Sequence, residues 1–160
     1  DEVVTSTLDV DLRDFLGYSA LVSPPENCEI FNMSKEEAFN LMFELAYPDY
    51  HDDVENLDGT GNIFLYKAST VNIEDFRNHV FCVACNDTVR IIGAKMARLL
   101  PGPDDRNFWE RIPNPEVVEV FMSVDAVKEI VRKVREYDLA MRKKGLKLIS
   151  SAIPGGAESA

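Results

Sequence analysis

The sequence of 160 residues predicts an α+β fold, in which helices pack on a mixed β-sheet. Three segments carry this prediction. A capped amphipathic helix begins at Ser34, and a run of β-branched and aromatic residues over 80–85 is typical of a buried strand. A strand, a long helix and a second strand then follow one another over 116–150. Apolar residues make up 46% of the chain and charged residues 28%, which is typical of a folded domain.

Composition divides the chain into three parts. Residues 1–27 are acidic and end in two prolines, which predicts an N-terminal arm with a short helix near Leu8–Leu16. Residues 28–150 hold most of the helix and strand signals, beginning with a strand over 28–33, and are predicted to form a single α/β domain. The tail 151–160 is rich in glycine, serine and alanine, so we expect it to be flexible.

A helix is predicted from Ser34 to Tyr47. Ser34 and Glu37 have the spacing of a capping box, and apolar residues recur every three or four positions until Pro48 ends the pattern. The carboxylate-rich loop over 49–58 either holds a cation or is simply solvated. It does not fit a calcium-binding EF-hand loop, because the first and twelfth positions would be apolar.

An antiparallel hairpin is predicted over 80–100, with its turn at Asn86-Asp87. Residues 88–100 also have helical spacing, but the turn favours a strand. Further along, proline-bounded stretches enclose a predicted loop with the only tryptophan, Trp109. This side chain either lines a pocket or fills a gap beneath the loop.

The C-terminal part predicts a β-α-β unit made of strand 116–122, helix 124–144 and strand 146–150. Ser123 is a suitable N-cap for the helix, whose apolar residues lie on one face and whose last turn is basic before Gly145. Two parallel strands with a right-handed crossover would follow.

The three cysteines argue against a disulfide framework and favour a reducing compartment, because their number is odd and the chain is not small. Cys82 and Cys85 form a C-x-x-C on a predicted strand, where residues three apart point to opposite faces. That geometry suits neither a redox pair nor a zinc knuckle. We therefore expect buried core cysteines and no metal site, with a zinc set completed by Cys28 and His79 as the alternative.

Charge is unevenly distributed in this acidic chain, whose net charge is −11. Residues 1–60 contain 15 acidic and 2 basic residues, whereas residues 61–160 contain 13 acidic and 15 basic ones. The acidic third is either a solvated face that keeps the protein soluble or a surface that docks on a basic protein partner. Nucleic-acid binding is not expected, because phosphate contacts need Lys and Arg.

No apolar run approaches the about 20 residues of a membrane span. No cationic signal segment opens the chain. These observations predict a protein that works in the cytoplasm or within an assembled particle and is neither secreted nor bound to a membrane.

The order of predicted elements resembles that of the GNAT-type N-acyltransferases. Val80–Leu100 resembles the second and third strands of that family with their turn, and Arg142–Ile149 resembles its long helix running into the fifth strand. The resemblance covers residues 28–150. It implies a GNAT-like mixed sheet with an antiparallel meander and one C-terminal β-α-β unit.

The acyl-CoA motif of that family is missing here. The family has Q/R-x-x-G-x-G/A between its fourth strand and its long helix, where backbone amides meet the coenzyme A pyrophosphate. The corresponding Ser123–Val127 has no glycine and no arginine, and Asp125 places a negative charge there. If an atypical loop still binds acetyl-CoA, the resemblance implies a cofactor site formed by Val120, Phe121, Met122 and Ser123.

The same resemblance implies a general base at Glu119, on the strand before the long helix. The alternative is an outward-facing strand residue, since buried unpaired carboxylates are rare. No nucleophile elbow, Walker loop or dinucleotide fingerprint is present.

The first hypothesis is therefore a non-catalytic structural or interaction protein, such as a virion, assembly or regulatory subunit, that docks on a basic partner surface without a cofactor. The alternative is an acyl-CoA-dependent N-acyltransferase.

Overall fold

The computed structural model describes residues 2–48, 64–102 and 107–152, and it confirms the α+β class. In chain order the helices and strands are α1 (Glu2–Tyr18), a short 3-10 helix (Ala20–Val22), α2 (Cys28–Phe31), α3 (Lys35–Ala46), α4 (Val71–Asp75), β1 (Asn78–Cys85), β2 (Thr88–Lys95), β3 (Ala97–Pro101), β4 (Asn107–Arg111), β5 (Val117–Ser123) and α5 (Val124–Ala152). The division into arm, domain and tail stays a prediction.

The central sheet has three strands in the order β1-β2-β5, and both pairings are antiparallel. The predicted hairpin is confirmed: β1 and β2 pair from Asn78–Lys95 to Cys85–Thr88, around a turn in which Asn86 has a φ of 53°. Strands β3 and β4 form a separate two-stranded ribbon. Trp109 lies on β4, opposite Leu99, and so not in the predicted loop.

Helix α3 covers one face of the sheet. Phe39 and Met42 of α3 are fully buried against Phe81 of β1 and Ile92 of β2. The rings of Phe39 and Phe81 meet edge to face, with centroids 5.6 Å apart. The predicted capping box fixes the start of this helix, because the amide of Glu37 donates to Ser34 Oγ and the amide of Ser34 donates to the Glu37 carboxylate.

The opposite face is covered by α5, α1 and the 3-10 helix. Cys82 and Val89 of the sheet pack there against Val127 and Val131 of α5. Helix α1 is longer than the predicted 8–16 segment, and it contacts both α4 and α5. The sheet is thus the middle of three layers.

Two strand predictions are wrong. Residues 28–33 are not a strand: Asn27 Oδ1 accepts the amides of Glu29 and Ile30, both at 3.1 Å, and this cap starts α2 instead. Residues 146–150 continue α5, so the predicted β-α-β unit with its parallel strand is absent from residues 107–152. Gly145 does not end the helix, since a glycine costs a helix interior only about 1 kcal/mol.

The cysteine prediction is partly wrong. Cys28 and Cys85 form a disulfide that joins the start of α2 to the end of β1, although the odd count argued against one. Cys82 is buried as predicted, and burial raises the pKa of its thiol to about 12. Within the described ranges no His, Cys, Asp and Glu side chains cluster as metal ligands. The predicted cation loop 49–58 lies outside the described residues.

Candidate functional site

The outer side of β1 is covered by backbone pairing, and we call it the paired edge. The amide of Ala84 donates to the carbonyl of Pro25 at 2.8 Å, and the amide of Cys82 donates to Tyr66 at 2.9 Å. The amide of Ala68 donates to Val80 at 2.8 Å. The segments before α2 and before α4 therefore satisfy the backbone groups of this strand.

The outer side of β5 is different, and its hydrogen-bonding pattern follows from the hairpin. A two-residue turn joins β1 to β2, so Cys85 and Thr88 are the hydrogen-bonded pair that closes it. Bonded and non-bonded pairs then alternate along β2. Residues 88, 90, 92 and 94 bond to β1, whereas residues 89, 91 and 93 turn their backbone groups toward β5.

On β5, the residues that pair with 93, 91 and 89 of β2 are Val118, Val120 and Met122, so their backbone groups face β2. The backbone groups of Glu119 and Phe121 consequently point away from the sheet. Among the described residues none hydrogen-bonds to the backbone of this pair from outside, and we call this side of β5, residues 117–123, the open edge.

Apolar side chains are exposed along the open edge. Val118 is 59% exposed, Val120 50% and Phe121 52%. Val118 lies opposite Gly93 of β2, which has no side chain to cover it, and a concavity of about 590 Å³ extends from there toward Ile112. Exposed apolar side chains grouped on one strand are typical of a binding surface.

A buried arginine holds the open edge to the rest of the protein. Arg90 of β2 is 3% exposed, and its Nε and Nη2 lie 2.8 and 2.7 Å from Glu119 Oε2. Its Nη1 donates to the carbonyls of Phe31 and Met33 at 2.7 and 2.8 Å. The guanidinium also lies 5.6 Å from the Phe121 ring centroid, so this side chain positions both neighbours.

The surface beside the open edge is acidic on the side of α2 and the start of α3. Residues 28–37 carry three glutamates and one lysine, a net charge of −2. All three glutamates are exposed. Lys35 Nζ donates to the carbonyl of Val117 at 2.8 Å, and the rings of Phe31 and Phe121 meet edge to face at 5.7 Å. These contacts make the acidic helices and β5 one continuous surface.

The predicted site residues all lie on the open edge, but on two faces of the sheet. Glu119 and Phe121 share one face, and Val120 and Met122 share the other, as alternation requires. Ser123 caps α5, with its Oγ accepting the amide of Ala126 at 3.1 Å. Glu119 is the ion-pair partner of Arg90, and the catalytic and cofactor roles given to these residues stay predictions.

Sequence reasoning missed Arg90 as a structural residue. The available signal is a single charged residue within the apolar run of a central strand, Thr-Val-Arg-Ile-Ile, which requires a buried partner.

A second polar cluster lies under α4. Glu74 accepts from Tyr47 Oη at 2.9 Å and from Ser69 Oγ at 2.6 Å, and it pairs with Lys67 at 3.0 Å. Burial and the Glu74 carboxylate raise the pKa of Tyr47. His79 packs edge to face on the Tyr47 ring at 4.9 Å. These contacts cross-link α3, α4 and β1, which is a structural role.

The model of the family described as immunity protein 42 matches residues 1–137. The chain belongs to the immunity protein 42 family. Its fold is similar to that in the crystal structure of CdiI from Burkholderia dolosa AUO158, with a TM-score of 0.57 and 21% sequence identity. The likeness covers 81% of this chain and 71% of that chain. Among curated proteins, none matches the chain significantly.

Membership of the immunity protein 42 family overturns the resemblance to the N-acyltransferases. That resemblance used only the order of elements, and two of the strands it needed, 28–33 and 146–150, are absent. Helix α2 begins the first of these segments, and the second continues α5. Neither an acyltransferase-like activity nor a place in a virion finds support in the family match. No helix in the described part of the chain is long and apolar enough to cross a membrane.

Proposed function

We propose that this chain is an immunity protein that neutralises a toxin by binding to it. The observation that carries the proposal is the match of the immunity protein 42 family to residues 1–137. The proposal keeps the interaction protein inferred from the sequence, and it replaces the virion or assembly role with a toxin as partner. The binding of the toxin requires no cofactor and takes place in the cytoplasm.

The surface chemistry supports a basic partner. The chain has a net charge of −11, and α2 and the start of α3, which contact β5 through Phe31 and Lys35, carry exposed glutamates. An apolar centre with a charged border is the usual composition of a specific protein interface. Opposite charges on the two proteins also accelerate their association.

Co-expression tests this function directly. The probe is a candidate toxin domain from a gene that neighbours the gene for this chain, produced under tight control in a sensitive host. We expect the chain to restore growth and to bind the purified domain in calorimetry with one-to-one stoichiometry. A toxin domain from an unrelated pair is the control, and the chain should neither bind it nor protect against it. Absence of both protection and binding to the neighbouring toxin domain would overturn the proposal.

A thermal melt separates this function from a coenzyme-binding one. A ligand present at a hundredfold its Kd raises the stability of the folded state by about 2.7 kcal/mol. We expect the melting temperature to be unchanged by millimolar acetyl-CoA and to rise with the toxin domain. A rise with acetyl-CoA and none with the toxin domain would contradict the proposed function.

A further inference from the structure

We propose that the toxin binds at the open edge and contributes an extended, basic segment that adds to the sheet as a fourth strand beside β5. This inference rests on the proposed function, and it names the surface and the chemistry of the partner segment. Adding a strand to an exposed sheet edge is a general mode of peptide recognition, in which backbone hydrogen bonds supply affinity and alternate side chains supply specificity.

Within the described residues, the backbone of β5 has free hydrogen-bonding groups for an added strand. The amides and carbonyls of Glu119 and Phe121 point away from β2 and have no hydrogen-bond partner from outside within residues 2–48, 64–102 and 107–152. The carbonyl of Val117 is already taken by Lys35, which marks the end of the available edge. An incoming strand can therefore exchange hydrogen bonds with two residues of β5, with Ser123 at the far end.

The side chains on the two faces set the sequence of the incoming segment. On the face of α5, it would lie beside Val118 and Val120, which are exposed and apolar, so apolar residues are favoured at alternate positions. On the face of α3, it would lie beside the Phe121 ring, which contacts Phe31 of α2, on the side of the sheet where Glu29 and Glu36 are exposed. Arginine or lysine is favoured there, by charge and by contact with the aromatic face.

Charge also distinguishes the toxin from a second copy of this chain. Two copies paired through β5 would bring together two acidic surfaces, each with a net charge of −2 over residues 28–37. Like charges placed across an interface disfavour association, whereas a basic segment is attracted. The buried Arg90 does not offset this, since its charge is matched by Glu119.

Amide hydrogen exchange tests the strand addition residue by residue. In the free chain, we expect the amides of Glu119 and Phe121 to exchange rapidly, and those of Val118, Val120 and Met122 to be protected by β2. Binding of the unlabelled toxin domain should slow exchange at Glu119 and Phe121 by at least tenfold. Unchanged exchange at these two amides in a saturated complex would overturn the inference.

A matched pair of variants tests the same surface by affinity. Val120→Lys places a charge at the centre of the open edge, whereas Val71→Lys makes the same change on α4, at a valine that is 46% exposed. We expect Val120→Lys to weaken toxin binding at least tenfold and Val71→Lys to leave it within twofold. Equal melting temperatures of the two variants show that both are folded.

The outcomes separate the two proposals. If the wild-type chain does not bind the toxin domain, the proposed function fails. If the wild-type chain and Val120→Lys bind equally well, the immunity function stands and the open edge is not the binding surface. Sedimentation equilibrium of the chain alone gives a third readout, because a dimer that Val120→Lys dissociates would assign the edge to a second copy and overturn the inference.

Discussion

The two edges of the central sheet differ in how their backbone groups are satisfied. At the paired edge, β1 bonds to the segments around Pro25 and Tyr66, and a disulfide ties its last residue to α2. At the open edge, β5 has no such cover among the described residues, and three of its apolar side chains are exposed. An unpaired edge is an aggregation hazard that folded proteins normally avoid. The strand addition proposed above uses this open edge, while the paired edge serves stability.

The largest expected difference compares two phenylalanines, one for each edge. Phe81→Ala removes a fully buried ring that contacts Phe39 and Phe43, so we expect a loss of about 3–5 kcal/mol in the free energy of unfolding. Phe121→Ala removes a half-exposed ring, and we expect a loss of about 1 kcal/mol or less. Urea denaturation measures both. Similar losses would show that β5 is as much a part of the core as β1.

Removal of the disulfide, which belongs to the paired edge, should have the next largest effect on stability. Cys28 and Cys85 are 57 residues apart, and closing a loop of this length in the unfolded chain is worth about 2–4 kcal/mol. We expect the double change Cys28→Ser, Cys85→Ser to lower the free energy of unfolding by this amount. The wild-type chain in dithiothreitol is the control and should match the variant. Insensitivity of the wild-type protein to the reductant would contradict this assignment.

Local sequence signals predicted the elements that are stabilised locally. The helix from Ser34 and the hairpin around Asn86 are both present, because a capping box and a two-residue turn act within a few residues. The same reasoning gave a strand over 28–33, where the side chain of Asn27 starts a helix instead. Caps of this kind depend on one side chain and are easily overlooked.

Long-range features could not be predicted in this way. The pairing of Cys28 with Cys85 and of Arg90 with Glu119 joins residues far apart in the sequence, and spacing carries no information about such contacts. The strand order β1-β2-β5 escaped prediction for the same reason. Sequence reasoning did place its candidate residues, Glu119 to Ser123, on the strand that becomes the open edge, although for a chemistry that the family match does not support.

An intermediate effect is expected where the open edge is held by the buried arginine. Glu119→Ala removes the carboxylate partner of Arg90 and leaves the carbonyls of Phe31 and Met33 as its hydrogen-bond acceptors, so we expect a loss of about 1–3 kcal/mol in the free energy of unfolding. This loss is smaller than for a fully buried pair because the Glu119 side chain is 29% exposed.

Glu119→Gln is the matched control, because it keeps an oxygen acceptor for Arg90 and removes only the charge. We expect it to lose less than half as much stability as Glu119→Ala in urea denaturation. If neither variant is destabilised, Arg90 does not depend on β5, and the open edge is held by other contacts.

The smallest effect concerns pH and the interior of β1. Burial holds the pKa of His79 below its ordinary value of 6.5, against the attraction of Glu74 and together with the repulsion of Lys67 and Arg77. Both ring nitrogens of His79 have no hydrogen-bond partner among the described residues, and its ring packs on those of Phe43 and Tyr47. The neutral form is therefore the one that the folded state accepts.

The sign of the pH dependence follows from this lowered pKa. At about one pH unit or more above 6.5, His79 is neutral in both states and its contribution to stability is fully present. As the pH falls further, the unfolded chain takes up the proton first, and this contribution is lost until the pH reaches the folded-state pKa. His79→Leu fills a similar volume without a titrating group, so its free energy of unfolding should fall less than that of the wild-type chain between pH 7.5 and pH 5. Parallel pH profiles for the two proteins would show that His79 does not contribute to the pH dependence of the free energy of unfolding, and that carboxylates cause the whole decline.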